Sequence, residues 1–350
     1  MQMVKKIEEV KKEIENKKII IAFSGGADST FLAKIASEVN GDFLLVTIDN
    51  GMLAKDCINN VKKIANEMGI KHQIINENFI EDPAFKENTS NRCFICKNKM
   101  YKKLEEIAKK ESFPDIADGT NISDLLEDRP GIMVNYQKNI ISPLVKAGIR
   151  REDVLEYLKE HEINYSNNTT CMATRIATGE EITNKKINQI SYAESLVKNL
   201  SKNNIVRVRA QDGLARIEVM NIEPLLNSNI LKHLDAELKA VGFEKVALDI
   251  GSSSKEKNDL VVYKPCKDEK NKIMFETTLP YEIDIKNTCS QLQNLGKLKC
   301  SEAMGIAMCE IDGQNITVFK NGKIFARKVQ GKDDAEKLLI KVLPRIRRII

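Results

Sequence analysis

Tryptophan is absent from this 350-residue chain, and histidine occurs only at His72, His161 and His233. With so little imidazole, a structural zinc site has few candidates to complete a set of thiolates. No apolar run approaches the ~18 residues of a membrane-spanning helix, and Met1-Gln2-Met3-Val4-Lys5-Lys6 reads as an amphipathic helix rather than a secretory signal. A cytoplasmic protein is expected. Internal repeats and low-complexity tracts are also missing. Excess charge is small, at +5, and lies in both halves. It suits anionic ligands such as nucleotides without demanding nucleic acid. The length allows two or three domains.

Against these absences stands Ser24-Gly25-Gly26-Ala27-Asp28-Ser29-Thr30, directly after the apolar run Ile19-Ile20-Ile21-Ala22-Phe23. A strand that ends in glycines and reopens as a helix brings backbone amides close to an oxyanion. The Gly-Lys-Ser/Thr of a Walker loop is missing, so γ-phosphate transfer is not the natural reading. The spacing resembles the PP-loop of ATP pyrophosphatases, which cleave ATP between the α and β phosphates.

Periodicity predicts helices over 3–16, 28–39 and 55–69 and strands over 17–23, 42–48 and 71–76. Beyond an irregular stretch at 78–92 come Arg92–Lys97, a helix through 111 and a strand at 115–118. This alternation implies an α/β fold with a parallel sheet, whose ligands collect at the carboxyl ends of the strands. Ser24, Asp49-Asn50-Gly51 and Gly119-Thr120-Asn121 fall at that edge. A helix at 148–160 and a polar connector, 164–170, lead to Cys171. Helix 183–200, strands 205–210 and 214–220, helix 223–241 and strand 244–250 make a second α/β unit. Gly251-Ser252-Ser253-Ser254-Lys255 reads as a linker. The remainder reads as an α+β lobe with a hairpin around Lys320-Asn321-Gly322 and a terminal helix, 332–347. The expected domains are 1–180, 181–255 and 256–350.

Eight cysteines without a secretory signal favour metal or catalytic thiols over disulfides. Cys93 and Cys96 are spaced to chelate one centre, and Cys171 adds a third thiolate near the glycine loop. Three thiolates fit a 4Fe-4S cluster with one iron lacking a protein ligand. The other reading is a redox dithiol beside an unrelated Cys171. Cys57 reads as a packing residue in a helix. Cys266, Cys289, Cys300 and Cys309 match no ligand spacing and read as small buried hydrophobes.

Arg207, Arg209 and Arg216 alternate along two consecutive strands, which aims them at one face suited to a phosphate, with Glu194 and Glu218 to orient them. The competing reading is a salt-bridged sheet surface. Lys97, beside the cysteine pair, is placed to neutralise a phosphate. Gly25 and Gly26 amides and the Ser24 and Ser29 hydroxyls would hold pyrophosphate, Asp28 would share Mg²⁺, and the Thr47–Asp49 and Thr120–Asn121 turns would receive adenine and ribose.

Together these segments, with Asp128-Arg129-Pro130-Gly131, Ser142-Pro143-Leu144, Arg175 and Ala215-Arg216-Ile217-Glu218, resemble the LarE-type sulfur transferases of the PP-loop superfamily over about residues 5–250. The resemblance implies ATP-dependent sulfur insertion into the precursor of the nickel-pincer nucleotide, through adenylation of a pyridinium dicarboxylate mononucleotide. In that family a lone cysteine at position 171 surrenders its own sulfur, whereas members with the added Cys-x-x-Cys hold a 4Fe-4S cluster. This chain falls with the latter, with Cys93, Cys96 and Cys171 as ligands. The resemblance further implies a homo-oligomer and a sulfide donor. Rival readings are a PP-loop tRNA thiolase, an amide-forming adenylating ligase and a non-enzymatic iron–sulfur carrier.

Overall fold

A computed structural model describes residues 2–53, 55–127, 129–166, 171–251, 261–263 and 273–350. Asp128, the 167–170 part of the polar connector, Ser252–Lys255 and Cys266 therefore lie outside the described residues.

The fold is α/β and starts from β1 (Lys18–Ala22), β2 (Asp42–Asp49), β3 (Lys71–Asn76) and β4 (Asp115–Ala117), all parallel and ordered β3-β2-β1-β4. Ile20 of β1 stands opposite Leu44 on one side and Ile116 on the other. Ile19 and Ile21 face one helix layer and Ile20 the other, so β1 is apolar at every central position. The chain moves away from β1 in opposite directions to reach β2 and β4. That reversal opens a crevice at the carboxyl ends of β1 and β4.

β5 (Val206–Gln211), β6 (Leu214–Val219) and β7 (Lys245–Leu248) form a second sheet, antiparallel between β5 and β6 and parallel between β6 and β7. Its core is continuous with the first: Met172, Ile176 and Ile182 join Ile20 and Val46 to Val208, Ile217 and Leu238. The expected helix 223–241 is instead a short turn, Glu223–Leu225, and a separate helix, Ser228–Ala240, which starts where the Asn227 side chain caps it.

The third sheet is antiparallel and ordered β10-β11-β12-β13-β9-β8, from β8 (Val261–Tyr263), β9 (Ile273–Thr278), β10 (Lys297–Ser301), β11 (Ile306–Ile311), β12 (Gln314–Phe319) and β13 (Lys323–Val329). Gly322 turns the β12–β13 hairpin at φ +88°. The terminal helix stops at Val342 rather than 347, because Pro344 cannot continue it. Ile122 and Leu125, which follow β4, are buried in the core of this lobe.

Cys289 and Cys300 form a disulfide between the helix Ile285–Leu292 and β10, which corrects the expectation of unpaired buried thiols. Eleven residues separate them, and nothing in that spacing announces a partner. Cys57 and Cys309 are buried and take part in no disulfide among the described residues. No helix among the described residues is long and apolar enough to cross a membrane.

Candidate active site

β1 hands the chain to the helix Ala27–Ala36 through the glycine loop. Gly26 is the cap of that helix and, among the described residues, no side chain caps its first amides, the groups that bind an anion at a helix N-terminus. Gly25 takes φ +69°, a left-handed geometry that suits glycine. The hydroxyls of Ser24 and Ser29 lie 3.1 Å apart, and each also bonds the loop backbone. The loop is thus folded by its own serines, whose hydroxyls take up the Ser24 and Gly26 amides.

Across the crevice, Asn121 Nδ2 donates to Asp28 Oδ1 at 2.8 Å. A Cβ on Gly119 would sit 2.8 Å from both Asp28 C and Ser29 N, so only glycine lets the turn after β4 approach the loop this closely. Burial raises the Asp28 pKa to about 6 and Asp124 adds to the rise, while Arg151, the Asn121 bond and Arg129 oppose it. Arg129 and Arg151 each reach Asp124 Oδ1 at 2.8 Å. Thr47 points inward, donating to Phe23 O at 2.6 Å with His72 Nε2 at 2.9 Å. Asp49 accepts from Gly51 N. The side chains of Thr120 and Asn121 are likewise occupied in holding the turn.

Asp118 is the buried hub of this edge. It accepts from Lys97 Nζ (3.1 Å), Tyr101 OH (2.6 Å), Thr120 Oγ1 (2.7 Å), Asn135 Nδ2 (2.9 Å) and Ser142 Oγ (3.0 Å). Burial works to raise its pKa, but the Lys97 charge and these hydrogen bonds outweigh it and hold the carboxyl well below the usual range. Lys97 is therefore no free surface lysine. Asp118 itself was recognisable only as part of a turn motif.

The helix carrying Cys93 and Cys96 begins at Arg92, not after the pair as expected, so the two thiols share one face of its first turn. Arg92 Nη1 also donates to Ala173 O at 3.2 Å, and Met172 N bonds Met52 O at 2.9 Å. These ties bring Cys171 to the pair. All three cysteines line one cavity of about 240 Å³ with Ala22, Lys97, Tyr101 and Thr174. Burial pushes the Cys96 thiol up to about 12, helped by Cys171 and Cys93, and burial also raises Cys171. N–H donors from Asn50 (3.5 Å to Cys96) and Arg92 (3.8 Å to Cys93) meet the sulfurs. Among the described residues, no group of three or more His, Cys, Asp and Glu side chains is arranged to hold a metal ion.

Cys171 leads into a short turn, Met172–Arg175, that ends at the arginine face. Thr174 and Arg175 line a second cavity, about 210 Å³, with Arg209 and Arg216. Arg209 and Arg216 face each other across β5 and β6 and both bond Glu218 Oε1, at 2.6 and 3.0 Å. Glu194 is buried and accepts from Arg175 Nε (2.7 Å) and Val208 N (3.1 Å). Among the described residues Arg207 has no ion-pair or hydrogen-bond partner for its guanidinium. Burial, then Arg175 and Arg209, lower its pKa.

A switch-point crevice with an uncapped glycine loop defines a nucleotide-binding protein of the PP-loop class, and residues 1–129 match the family model for the PP-loop domain. An uncharacterised protein of Methanocaldococcus jannaschii is 31% identical over 250 residues, 71% of this chain and 96% of the relative. The pyridinium-3,5-bisthiocarboxylic acid mononucleotide synthase of Lactiplantibacillus plantarum is 29% identical over 240 residues, 67% of this chain and 86% of its own. A glutamine-hydrolysing GMP synthase component of Methanococcus vannielii is 29% identical over 190 residues, 51% and 56% of the two chains. The chain belongs to the PP-loop family and is an ATP-dependent enzyme that forms AMP and pyrophosphate.

Proposed function

We propose that the chain adenylates a carboxylate of a pyridinium dicarboxylate mononucleotide and exchanges the AMP for sulfide, giving a thiocarboxylate. Sulfide cannot displace oxide from a carboxylate at neutral pH. In the first step a substrate carboxylate oxygen attacks the α-phosphorus, and the bond to pyrophosphate breaks. In the second, sulfide attacks the acyl carbon and AMP leaves with the bonding pair.

Glycine-loop amides and the Ser24 and Ser29 hydroxyls hold the departing pyrophosphate. Lys97, held by Asp118, faces the reacting phosphate, and Asp28 shares a Mg²⁺ that supplies charge to the phosphate oxygens. Thr47, Asp49, Thr120 and Asn121 shape the adenosine side through their turns. Arg207, Arg209 and Arg216, oriented by Glu194 and Glu218, hold the substrate phosphate, and the unpartnered Arg207 supports that role.

Three thiols around one cavity, those of Cys93 and Cys96 met by N–H donors, suit thiolate ligation, so Cys93, Cys96 and Cys171 are the residues that would hold a 4Fe-4S cluster. Bound there, it supplies a Lewis-acidic iron that lowers the proton affinity of sulfide. On this reading residues 1–180 bind ATP and the thiol-held group, 181–255 bind the substrate phosphate, 256–350 form an added lobe, and the working form is a cytoplasmic homo-oligomer.

The observation that carries the reading is the shared wall. Thr174 lines both the thiol cavity and the arginine cavity, so an acceptor anchored by its phosphate reaches towards the cysteines. The test is anaerobic purification followed by mass spectrometry of products from ATP, sulfide and the mononucleotide. A brown protein and a product bearing sulfur in place of oxygen are expected, both lost in Cys171→Ala. A Cys171→Ala protein that keeps colour and product refutes it.

A further inference from the structure

The lobe at 273–350 meets the helix Ile132–Gln137 through Arg347. Its guanidinium carbon lies 3.6 Å from the centroid of the Tyr136 ring, and its backbone is clipped to the helix Ile285–Leu292 by Asp284 N to Arg347 O (2.8 Å) and Arg347 N to Thr288 Oγ1 (2.9 Å). Among the described residues this half-buried cation has no carboxylate partner. Its nitrogens donate to Pro344 O, Ile346 O and Gln291 Oε1 instead. The cation is thus held by neutral acceptors and by Tyr136, which both stacks against it and hydrogen-bonds it.

Tyr136 sits in the helix Ile132–Gln137, which touches the catalytic edge at two places. Next to Tyr136, Asn135 Nδ2 bonds Asp118, Thr120 Oγ1 (3.2 Å) and Ser142 Oγ (3.1 Å), while Asn135 Oδ1 is buried with no hydrogen-bond partner among the described residues. At the helix start, a Cβ on Gly131 would lie 3.2 Å from Lys97 Cδ and 3.3 Å from Cys93 O. Polar contacts from inside thus reach only one side of the Asn135 amide, and the ring of Tyr136 is gripped from outside.

We propose that Arg347 is a positioning residue, supplied by the added lobe, which clamps Tyr136 and so sets the helix Ile132–Gln137 against Lys97 and Cys93. Two further contacts brace the same docking: Tyr281 OH to Leu125 O (2.9 Å) and Arg150 to Glu336 (3.2 Å). The role assigned to Lys97 rests on the adenylation reading above.

The test uses the full chain with Arg347→Ala, Arg347→Lys, Lys97→Ala and the Lys97→Ala/Arg347→Ala pair. Amide hydrogen exchange is expected to show lost protection across 129–137 in Arg347→Ala and little change across 184–219. Pyrophosphate release from ATP with the mononucleotide is expected to slow about tenfold or more in kcat, with KM for ATP nearly unchanged, because a small displacement near the reacting atoms acts on the transition state. Arg347→Lys, which keeps the cation over the ring, restores most of it. In the Lys97→Ala background, Arg347→Ala costs nothing further. Unchanged exchange across 129–137, or an undiminished kcat loss in the Lys97→Ala background, overturns the proposal. Failure of the unsubstituted chain to release pyrophosphate counts against the adenylation reading alone, since exchange still decides on the clamp.

Discussion

Asn121 donates to Asp28 across the two halves of the switch point, 2.8 Å between Nδ2 and Oδ1, and joins loops 93 residues apart in sequence. The bond fixes the carboxylate at the mouth of the glycine loop. Asn121 cannot turn away, because its Oδ1 also caps the following helix at Asp124 N.

Asp28 is strained electrostatically in the ligand-free chain. Its folded pKa, about 6, exceeds the ordinary carboxyl value of 3.8. Between those values the folded state binds the proton that the unfolded state has released, so stability falls as pH rises through the window and the deficit persists at neutrality. Asp28→Asn should stabilise the free chain at pH 7 by up to ~2 kcal/mol, much less at pH 4, in urea denaturation. The same variant should lose at least about tenfold in pyrophosphate release if the carboxylate shares Mg²⁺.

Gly119→Ala should be damaging despite its small size. The new methyl meets the backbone of Asp28 and Ser29 at 2.8 Å, and neither atom can yield without moving the glycine loop. A stability loss of ~1–3 kcal/mol is expected, together with weaker ATP binding in calorimetric titration. An alanine variant with native ATP affinity would show that the two loops separate freely.

Two neighbouring arginines should part company. Arg207→Ala removes a cation with no described partner, so thermal stability should hold or rise slightly while KM for the mononucleotide increases about tenfold or more. Arg209→Ala takes a hydrogen bond from Glu218 and another from Thr174 O, and should lower stability by ~1 kcal/mol as well as affinity. Steady-state kinetics beside thermal melts separate the two effects.

The Cys289–Cys300 disulfide closes a short loop, and its removal should cost the added lobe ~3 kcal/mol on the chain-entropy account. Cys300→Ser should match the reduced unsubstituted chain in urea unfolding. A Cys300→Ser protein as stable as the oxidised chain would show that the bond adds nothing.

The parallel sheet was legible because apolar runs such as Ile19–Phe23 and Leu44–Ile48 end in turn residues, and a fully buried strand carries that signature on its own. The glycine loop was legible for the same local reason. Asp118 was not, since its partners Lys97, Tyr101, Asn135 and Ser142 are scattered and meet only when the chain folds. The start of the cysteine helix escaped notice because Cys-Phe-Ile-Cys has no strong helical preference, and the observed cap, Asn91, makes no side-chain hydrogen bond. Asn227, as a helix cap, and Pro344 marked two helix breaks that periodicity alone ran through. The Arg347–Tyr136 stack joins positions with no common pattern.

The Thr174 hydroxyl is held twice, donating to Cys171 O at 2.7 Å and accepting from Arg175 Nη1 at 2.8 Å, in the turn between the thiols and the arginines. A single side chain therefore serves as partition between two chambers. On the sulfur-transfer reading, a change at this one position would therefore reshape the anchor side and the thiol side together.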